Sequence, residues 1–135
     1  MQSITLHQLH WDHIRAELES CLPNEGCGLL AGRGRVVEEV HPVTNILQSA
    51  TAFRMKPEEQ VRLLFDFEKR GLDLVGIYHS HPLGPPFPSE IDRRQVGYPG
   101  VVHLICSKAG SNWTCQAFRI SPSGDLAAIE VEWRE

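Results

Sequence analysis

The sequence predicts a single domain, residues 1–135, of the α/β (α+β) class, in which a curved mixed β-sheet is flanked by helices. The length of 135 residues is typical of one domain. Hydrophobic residues make up 41% of the chain and charged residues 22%, so it can bury a core, which argues against disorder. Short apolar strand patterns alternate with two longer helical patterns, and this favours a sheet covered by helices.

The first third of the chain predicts a strand, a helix and then a hairpin. Apolar residues of the helix recur at intervals of three and four, the spacing of one helix face. These residues are Trp11, Ile14, Leu18 and Leu22. Pro23 and Asn24 then break the helix. The predicted ranges are 3–6 (strand), 9–22 (helix), 27–31 (strand), 32–35 (turn) and 36–43 (strand).

A second helix is predicted after a loop over 45–54. Pro57 suits the first helical position, and Gly71 is the expected C-terminal cap. We expect the apolar face of this helix to consist of Val61, Leu64, Phe65 and Leu72. The remaining predicted elements are a central strand (74–78), a proline-rich loop, a short helix from Ser89, and strands over 101–106, 113–119 and 126–133.

The last two strands carry tryptophans that we expect to face the core. In the final strand Ile129, Val131 and Trp133 alternate with charged residues, which predicts one wet face. Trp113 is expected to anchor the preceding strand in the same way.

Charge and hydropathy exclude several classes of function. The net charge is -4, from 17 acidic and 13 basic residues, whereas a protein that binds nucleic acid usually has a basic excess. No apolar run approaches the roughly 20 residues that span a bilayer, and no signal peptide is recognisable. The four cysteines form no Cys-x-x-Cys pair and are expected to be buried free thiols. We therefore expect a cytoplasmic protein without a membrane or nucleic-acid partner.

The end of the predicted central strand carries a His-x-His pattern. Residues i and i+2 of a strand point to the same side, so His79 and His81 aim their imidazoles at one point while Ser80 faces away. Two imidazoles on one face are a natural start of a zinc site. The pattern alone is a weak motif, because short histidine spacings also arise by chance.

The loop that follows can return a third ligand to the same point. Four prolines between positions 82 and 88 stiffen it. Asp92 would be the third protein ligand and leave the fourth position to water, as in catalytic zinc sites. Zinc brings the pKa of a bound water to about 7. As an alternative, Ser89 and Asp92 form a capping box, which agrees with a site role for Ser89 but competes for the Asp92 carboxylate.

Glu25 is the candidate acid–base residue. It stands next to a glycine, directly before the apolar strand that begins at Cys27. A carboxylate at a strand end beside a metal site can take a proton from water and pass it to a leaving amine. The alternative interpretation is an ordinary glutamate in a turn.

The combined pattern, Glu25 followed by His-Ser-His-Pro-x6-Ser-x2-Asp, resembles the JAMM metalloproteases, also called MPN-plus domains. The stretch Pro-x-Glu-x-Cys-Gly-Leu-Leu is similar to their short bacterial members. The resemblance implies a JAMM/cytidine-deaminase-like fold, with zinc (Zn2+) bound by His79, His81 and Asp92. It implies that Glu25 is the general base and acid, and that Ser89 donates a hydrogen bond to the tetrahedral intermediate.

The same resemblance implies hydrolysis of a peptide or isopeptide bond after the C-terminal Gly-Gly of a small ubiquitin-like or sulfur-carrier protein. Only eight residues separate Asp92 from Val101, which leaves no room for the insertions by which eukaryotic deubiquitinases grip ubiquitin. Arg93 and Arg94 are expected to be exposed, with an acidic substrate tail as their alternative partner. The rival class is a non-catalytic MPN-type interaction module with structural zinc. The open fourth ligand position and Glu25 favour the enzyme.

Other candidate residues are given structural interpretations. We expect His103 to be a satisfied core histidine, and we expect His41 to have no partner. A nucleophile pair of Cys27 with His79 is the alternative to simple packing of this cysteine. The evenly spaced His7, His10 and His13 are expected to lie at a solvated helix edge.

Overall fold

The computed structural model describes residues 2–94, 98 and 100–135. Within these ranges there are seven strands: β1 (Ser3–His7), β2 (Cys27–Arg33), β3 (Val36–Val43), β4 (Asp73–His81), β5 (Val102–Ala109), β6 (Asn112–Ile120) and β7 (Leu126–Arg134). The three helices there are α1 (Gln8–Cys21), α2 (Pro57–Lys69) and α3 (Glu90–Arg94). Residues 95–97 and 99, in the segment judged too short for insertions, lie outside the described ranges.

The strands form one mixed sheet that closes into a barrel in the order β1-β3-β2-β4-β5-β6-β7. β1 runs parallel to β3 and β7, and β4 runs parallel to β5, while the other neighbours are antiparallel. The predicted mixed α+β class is confirmed. The strand patterns did not predict that the sheet closes on itself.

The central strand is longer than its apolar run predicts. β4 lies between β2 and β5 and continues from Asp73 through His81, so both histidines of the His-x-His pattern belong to it. Every residue from Val75 to His81 is buried. The candidate ligands therefore sit on a strand held by hydrogen bonds on both edges.

The core consists of two clusters separated by the sheet. Leu30 and Tyr78 belong to the cluster that contains the buried face of α1, supplied by Trp11, Ile14 and Leu18. Leu29 and Ile77 belong to the other cluster, which contains Phe67 of α2. Alternate residues of a strand point to opposite sides, so His79, two residues after Ile77, lies on the side of the second cluster.

The predicted apolar face of α2 is wrong in two positions. Val61 and Phe65 are 54% and 64% exposed, whereas Phe67 is 2% exposed. Leu63 and Leu64 pack with Phe67 against the sheet, so the helix is rotated relative to the prediction. Several apolar stripes of this helix were compatible with a 3.6-residue period, and only the position of the sheet selects one of them. The predicted cap is present, since Gly71 has φ +69.

Three further predictions are corrected by the structure. Trp133 is 47% exposed, because it lies near the end of β7, where it makes an edge contact with Trp11 of α1. His41 Nε2 lies 2.7 Å from Glu39 Oε1, so this histidine has a partner. His103 is buried, but its Nε2 has no hydrogen-bond partner among the described residues.

The structure also bears on the predictions about the cysteines and about membrane-spanning segments. All four cysteines, which lie in the described ranges, are free thiols, but only Cys27 and Cys106 are buried, whereas Cys21 and Cys115 are half-buried. None of the helices described has the length and apolar character that a membrane crossing requires. The cytoplasmic location stays a prediction.

Candidate metal centre and active site

Three candidate ligand atoms meet at the end of β4. His79 Nε2 and His81 Nε2 are 3.2 Å apart. Asp92, on α3, places Oδ2 3.2 Å from His79 Nε2 and 3.0 Å from His81 Nε2. The pleat of β4 aims both imidazoles at one point, and the proline-rich loop brings the carboxylate back to that point.

These residues fit a bound metal ion. In a tetrahedral zinc site, bonds of about 2.0–2.1 Å place neighbouring ligand atoms about 3.3 Å apart. The three separations of 3.0–3.2 Å are close to that value. Glu25 is nearby, since its carboxylate and the two imidazoles present ligand atoms within 4.8 Å of one another. The cluster of histidines and carboxylates can thus hold a metal ion.

The proline-rich loop also fixes the tautomer of His81. Its Nδ1 lies 3.0 Å from the carbonyl oxygen of Pro85, and a carbonyl can only accept, so Nδ1 carries the hydrogen and donates it. The lone pair of Nε2 is then free to face the ligand cluster. Such a hydrogen bond to the second ring nitrogen is the usual way in which a ligating histidine is oriented.

His79 is oriented by packing instead. Phe53 stacks on its imidazole with ring centroids 4.4 Å apart and an interplanar angle of 25°. Within the part of the chain that the structure describes, Nδ1 of His79 is buried without a hydrogen-bond partner. The face of Phe53 therefore restrains the rotation of this ring.

Ser89 and Asp92 form the capping box and also take part in the cluster. The Asp92 amide donates to Ser89 Oγ (3.0 Å), and the Ser89 amide donates to Asp92 Oδ2 (2.9 Å). The same Oδ2 faces both imidazoles, so the cap and the candidate metal site share this carboxylate. A carboxylate oxygen has two lone pairs and serves both contacts, and the cap holds Asp92 in place. The hydroxyl hydrogen of Ser89 stays available for donation.

The two arginines of α3 are exposed, as predicted, but both have partners. Arg93 Nε donates to the carbonyl oxygen of Gly124 over 2.9 Å, which ties α3 to the turn between β6 and β7. Arg94 pairs with Glu90 along the helix.

Glu25 is buried beside the cluster and is only 3% exposed. It lies two residues before Cys27, which is paired with His79 across β2 and β4. Its Oε1 has no partner in the described ranges. Burial, helped by the nearby Asp92 carboxylate and opposed by His81, raises the pKa of Glu25 to about 8. A carboxyl with such a pKa exchanges protons near neutral pH, as a general base and acid must.

The charges of the cluster favour a neutral imidazole at His79. Burial lowers the pKa of His79, although Asp92 opposes this effect. Burial also acts to lower the pKa of His81, but its contacts with Asp92 and Pro85 outweigh burial and raise it. Burial acts to raise the pKa of Asp92, but the contacts with His79 and His81 outweigh burial and hold it well below its usual range. An ionised carboxylate beside two imidazoles is a set of donors that suits zinc.

A cavity of about 620 Å³ opens beside His79 and Asp92. Much of its wall is apolar, and residues such as Phe53, Met55, Ile77 and Tyr98 contribute to it. His103 also lines the cavity with its unpartnered imidazole. This cavity could not be predicted from local patterns, because its walls come from segments far apart in the chain.

Several residues that hold the site together have no recognisable signal in the sequence. The Gly26 amide donates to Ser80 Oγ (2.8 Å) and the Ser80 amide donates to the Gly26 carbonyl (3.0 Å), which fastens the segment after Glu25 to β4. Asn45 Nδ2 donates to the Glu25 carbonyl over 3.0 Å. Ser80 lies inside the motif itself, but nothing in the sequence pairs Asn45 with Glu25.

Curated relatives with related activities cover most of this chain. The desampylase of Haloferax volcanii is 42% identical over 114 residues, which cover 79% of this chain and 82% of that protein. A probable TtuB-protein conjugate cleaving protease of Thermus thermophilus is 44% identical over 121 residues, 89% of this chain and 77% of that protein. The CysO-cysteine peptidase of Mycobacterium bovis is 33% identical over 104 residues, 70% of this chain and 71% of that protein.

Solved structures share the whole fold. The solution structure of a protein from Desulfitobacterium hafniense has a TM-score of 0.88 and 36% identity, covering 98% of this chain and 93% of that chain. A JAB1/MPN domain protein from Archaeoglobus fulgidus has a TM-score of 0.60 at 22% identity, covering 97% and 99%, and supports the fold alone. A family model of prokaryotic homologues of the JAB domain matches residues 7–121. The resemblance to JAMM (MPN-plus) proteins is thereby confirmed, and the chain belongs to this prokaryotic JAB family.

Proposed function

We propose that the protein is a zinc metallopeptidase that cleaves the bond after the C-terminal Gly-Gly of a small ubiquitin-like or sulfur-carrier protein. The observation that carries the proposal is the 3.0–3.2 Å spacing of the ligand atoms of His79, His81 and Asp92 beside the buried Glu25 carboxylate. The similarity to a desampylase and to a probable TtuB-protein conjugate cleaving protease supports the class of substrate.

Each residue of the site has a separate task in this proposal. Zinc held by His79, His81 and Asp92 would supply a water whose pKa is lowered to about 7 as the nucleophile. Glu25 accepts a proton from the attacking water at its carboxylate and passes it to the leaving amine. Ser89 donates its hydroxyl hydrogen to the substrate carbonyl oxygen as that oxygen gains negative charge. Pro85 keeps the His81 tautomer that leaves Nε2 unprotonated.

Glu25 is buried and its Oε1 lacks a hydrogen-bond partner among the described residues, which favours an enzyme over the rival, a non-catalytic interaction module. A buried carboxyl without a hydrogen-bond partner lowers stability. A module that used zinc only for structure would gain nothing from this cost. A proton-transfer residue needs both the burial and an oxygen that is free to meet water.

The substrate class also agrees with the surroundings of the site. Glycines carry no side chain, so a Gly-Gly segment allows the peptide backbone to approach the metal ligands closely. The 620 Å³ cavity beside His79 has room for side chains of an extended tail. Because the 44% identical relative is named for cleaving protein conjugates, an isopeptide bond is our first choice. A peptide bond to a terminal cysteine is the second, on account of the CysO-cysteine peptidase.

The experiment is a cleavage assay with two defined substrates. The zinc-loaded protein is incubated with a ubiquitin-like sulfur carrier joined through Gly-Gly either to a lysine side chain or to a C-terminal cysteine, and product masses are read. We expect cleavage after the second glycine. Intact substrates, or cleavage elsewhere, would remove the proposed substrate class.

The matched variant is Glu25→Gln, which keeps the shape of the side chain but cannot take a proton. Turnover should fall by roughly 10²–10⁴ while zinc is retained. Glu130→Gln, an exposed glutamate on β7, is the control and should match the parent. Parental turnover in Glu25→Gln would reduce Glu25 to a turn residue, and loss of zinc would make it a ligand.

A further inference from the structure

One side chain, Asn45, organises the loop that covers the site between β3 and α2. Its Nδ2 donates to the carbonyl oxygens of Glu25 (3.0 Å) and Ala52 (3.1 Å). Its Oδ1 accepts from the amides of Leu47 (3.1 Å) and Arg54 (3.0 Å). Both donors and both lone pairs of the amide are thus in use.

Both the amide and the carbonyl group of Glu25 form hydrogen bonds with this loop. The Glu25 amide donates to the Ser49 carbonyl over 2.8 Å, and the Glu25 carbonyl accepts from Asn45. Glu25 precedes the first residue of β2, so it lacks the ladder bonds that hold the strand. Without the loop, its backbone would be fixed only through its chain neighbours.

The side chain of Glu25 cannot supply the missing restraint. Its Oε1 is buried without a hydrogen-bond partner among the residues described. The position of the carboxylate is therefore determined by the backbone to which it is attached. In the structure that backbone is anchored through Asn45 and Ser49 of a single loop.

We propose that Asn45 is a positioning residue that holds the Glu25 carboxylate in line for proton transfer. The inference rests on the proposed function, in which Glu25 is the general base. Misplacement of a catalytic group by about 1 Å can cost roughly 10²-fold in rate. Asn45 hydrogen-bonds to none of the candidate ligands, but its partners Leu47, Ala52 and Arg54 line the cavity, so a test of anchoring must keep the loop in place.

Two variants separate anchoring of Glu25 from closure of the loop. Asn45→Asp keeps an acceptor for the amides of Leu47 and Arg54, which should hold the loop and leave KM little changed. It turns an oxygen instead of an NH2 group toward the carbonyls of Glu25 and Ala52. Asn45→Ala removes all four bonds. Asn112→Ala is the matched control, since Asn112 is exposed and the described residues give it no side-chain hydrogen bond.

The kinetic readout is the split between kcat and KM on the Gly-Gly substrate. We expect kcat of Asn45→Asp to fall about 10- to 100-fold with zinc retained and KM little changed. In a Glu25→Gln background the same substitution should cost less than about 2-fold, because no base remains to be positioned. Parental kcat, or an equal loss in both backgrounds, would overturn the proposal.

A second readout does not depend on activity. Hydrogen exchange of the Glu25 amide, measured with and without zinc, should be about 10-fold faster in Asn45→Asp than in the parent or Asn112→Ala. Unchanged exchange would overturn the proposal even if the protein cleaved no Gly-Gly substrate. Should Asn45→Ala fail to fold, the Asp variant decides both readouts. Cleavage by the parent together with unchanged exchange would remove this inference and leave the proposed function standing.

Discussion

Replacement of Ser89 by alanine tests whether the capping box of α3 also serves the chemistry. Among the residues that the structure describes, Ser89 Oγ has one hydrogen bond, accepted from the Asp92 amide at 3.0 Å, and its hydroxyl hydrogen has no acceptor. Ser89→Ala removes both the acceptor of the cap and the donor proposed for the substrate oxygen. The two losses have different magnitudes and different readouts.

Loss of the cap affects stability. An N-cap serine replaced by alanine costs about 1 kcal/mol, which for a domain of this size lowers Tm by about 3–5 °C. Loss of one donor to a developing oxyanion lowers kcat by roughly 10²–10³. We therefore expect Ser89→Ala to show a small decrease in Tm and a large decrease in kcat.

Two companion variants separate these effects. Ser89→Thr keeps the acceptor and the donor, so activity and Tm should stay near the parental values. Ser89→Gly lacks the donor but costs only a few tenths of a kcal/mol at an N-cap, so kcat should fall with little change in Tm. Cleavage kinetics, zinc analysis and thermal unfolding of the zinc-loaded proteins measure all three quantities. Ser89→Ala with kcat within about 3-fold of the parent would refute the role in catalysis and leave only the cap.

The remaining predictions concern the metal and the core. Elemental analysis should find one zinc per chain in the parent and a clear loss in His81→Ala, and full occupancy in that variant would contradict the ligand assignment. Removal of zinc by a chelator should leave a cooperative thermal transition, because the two apolar clusters form a core without the metal; a chain unfolded by chelation would contradict this. Phe67→Ala should lower the free energy of unfolding by about 3–5 kcal/mol, since Phe67 is 2% exposed. Phe65→Ala, at a position 64% exposed, should change it by less than about 0.5 kcal/mol in the same denaturant titration, and equal effects would contradict the assigned orientation of α2.

The parts of the site that depend on short-range geometry could be predicted from the sequence. The two-residue period of a strand places His79 and His81 on one side, and this follows from the pleat alone. The Ser-x-x-Asp spacing predicts a reciprocal cap, which the structure shows. The residues between His81 and Asp92 are few and rich in proline, so the chain returns nearby. The resemblance to JAMM proteins then joined Glu25 to these residues, although no local rule connects them.

Tertiary structure decided everything that joins distant segments. The sequence allowed several apolar stripes on α2, and the position of the sheet selected the one that buries Phe67. Closure of the barrel placed β2 beside β4, which brings Glu25 next to His79 across 54 positions of the chain. Asn45 became an anchor of Glu25 only because the loop before α2 folds over the site. Periodicity and capping act within a few residues, whereas these contacts depend on the packing of the whole barrel.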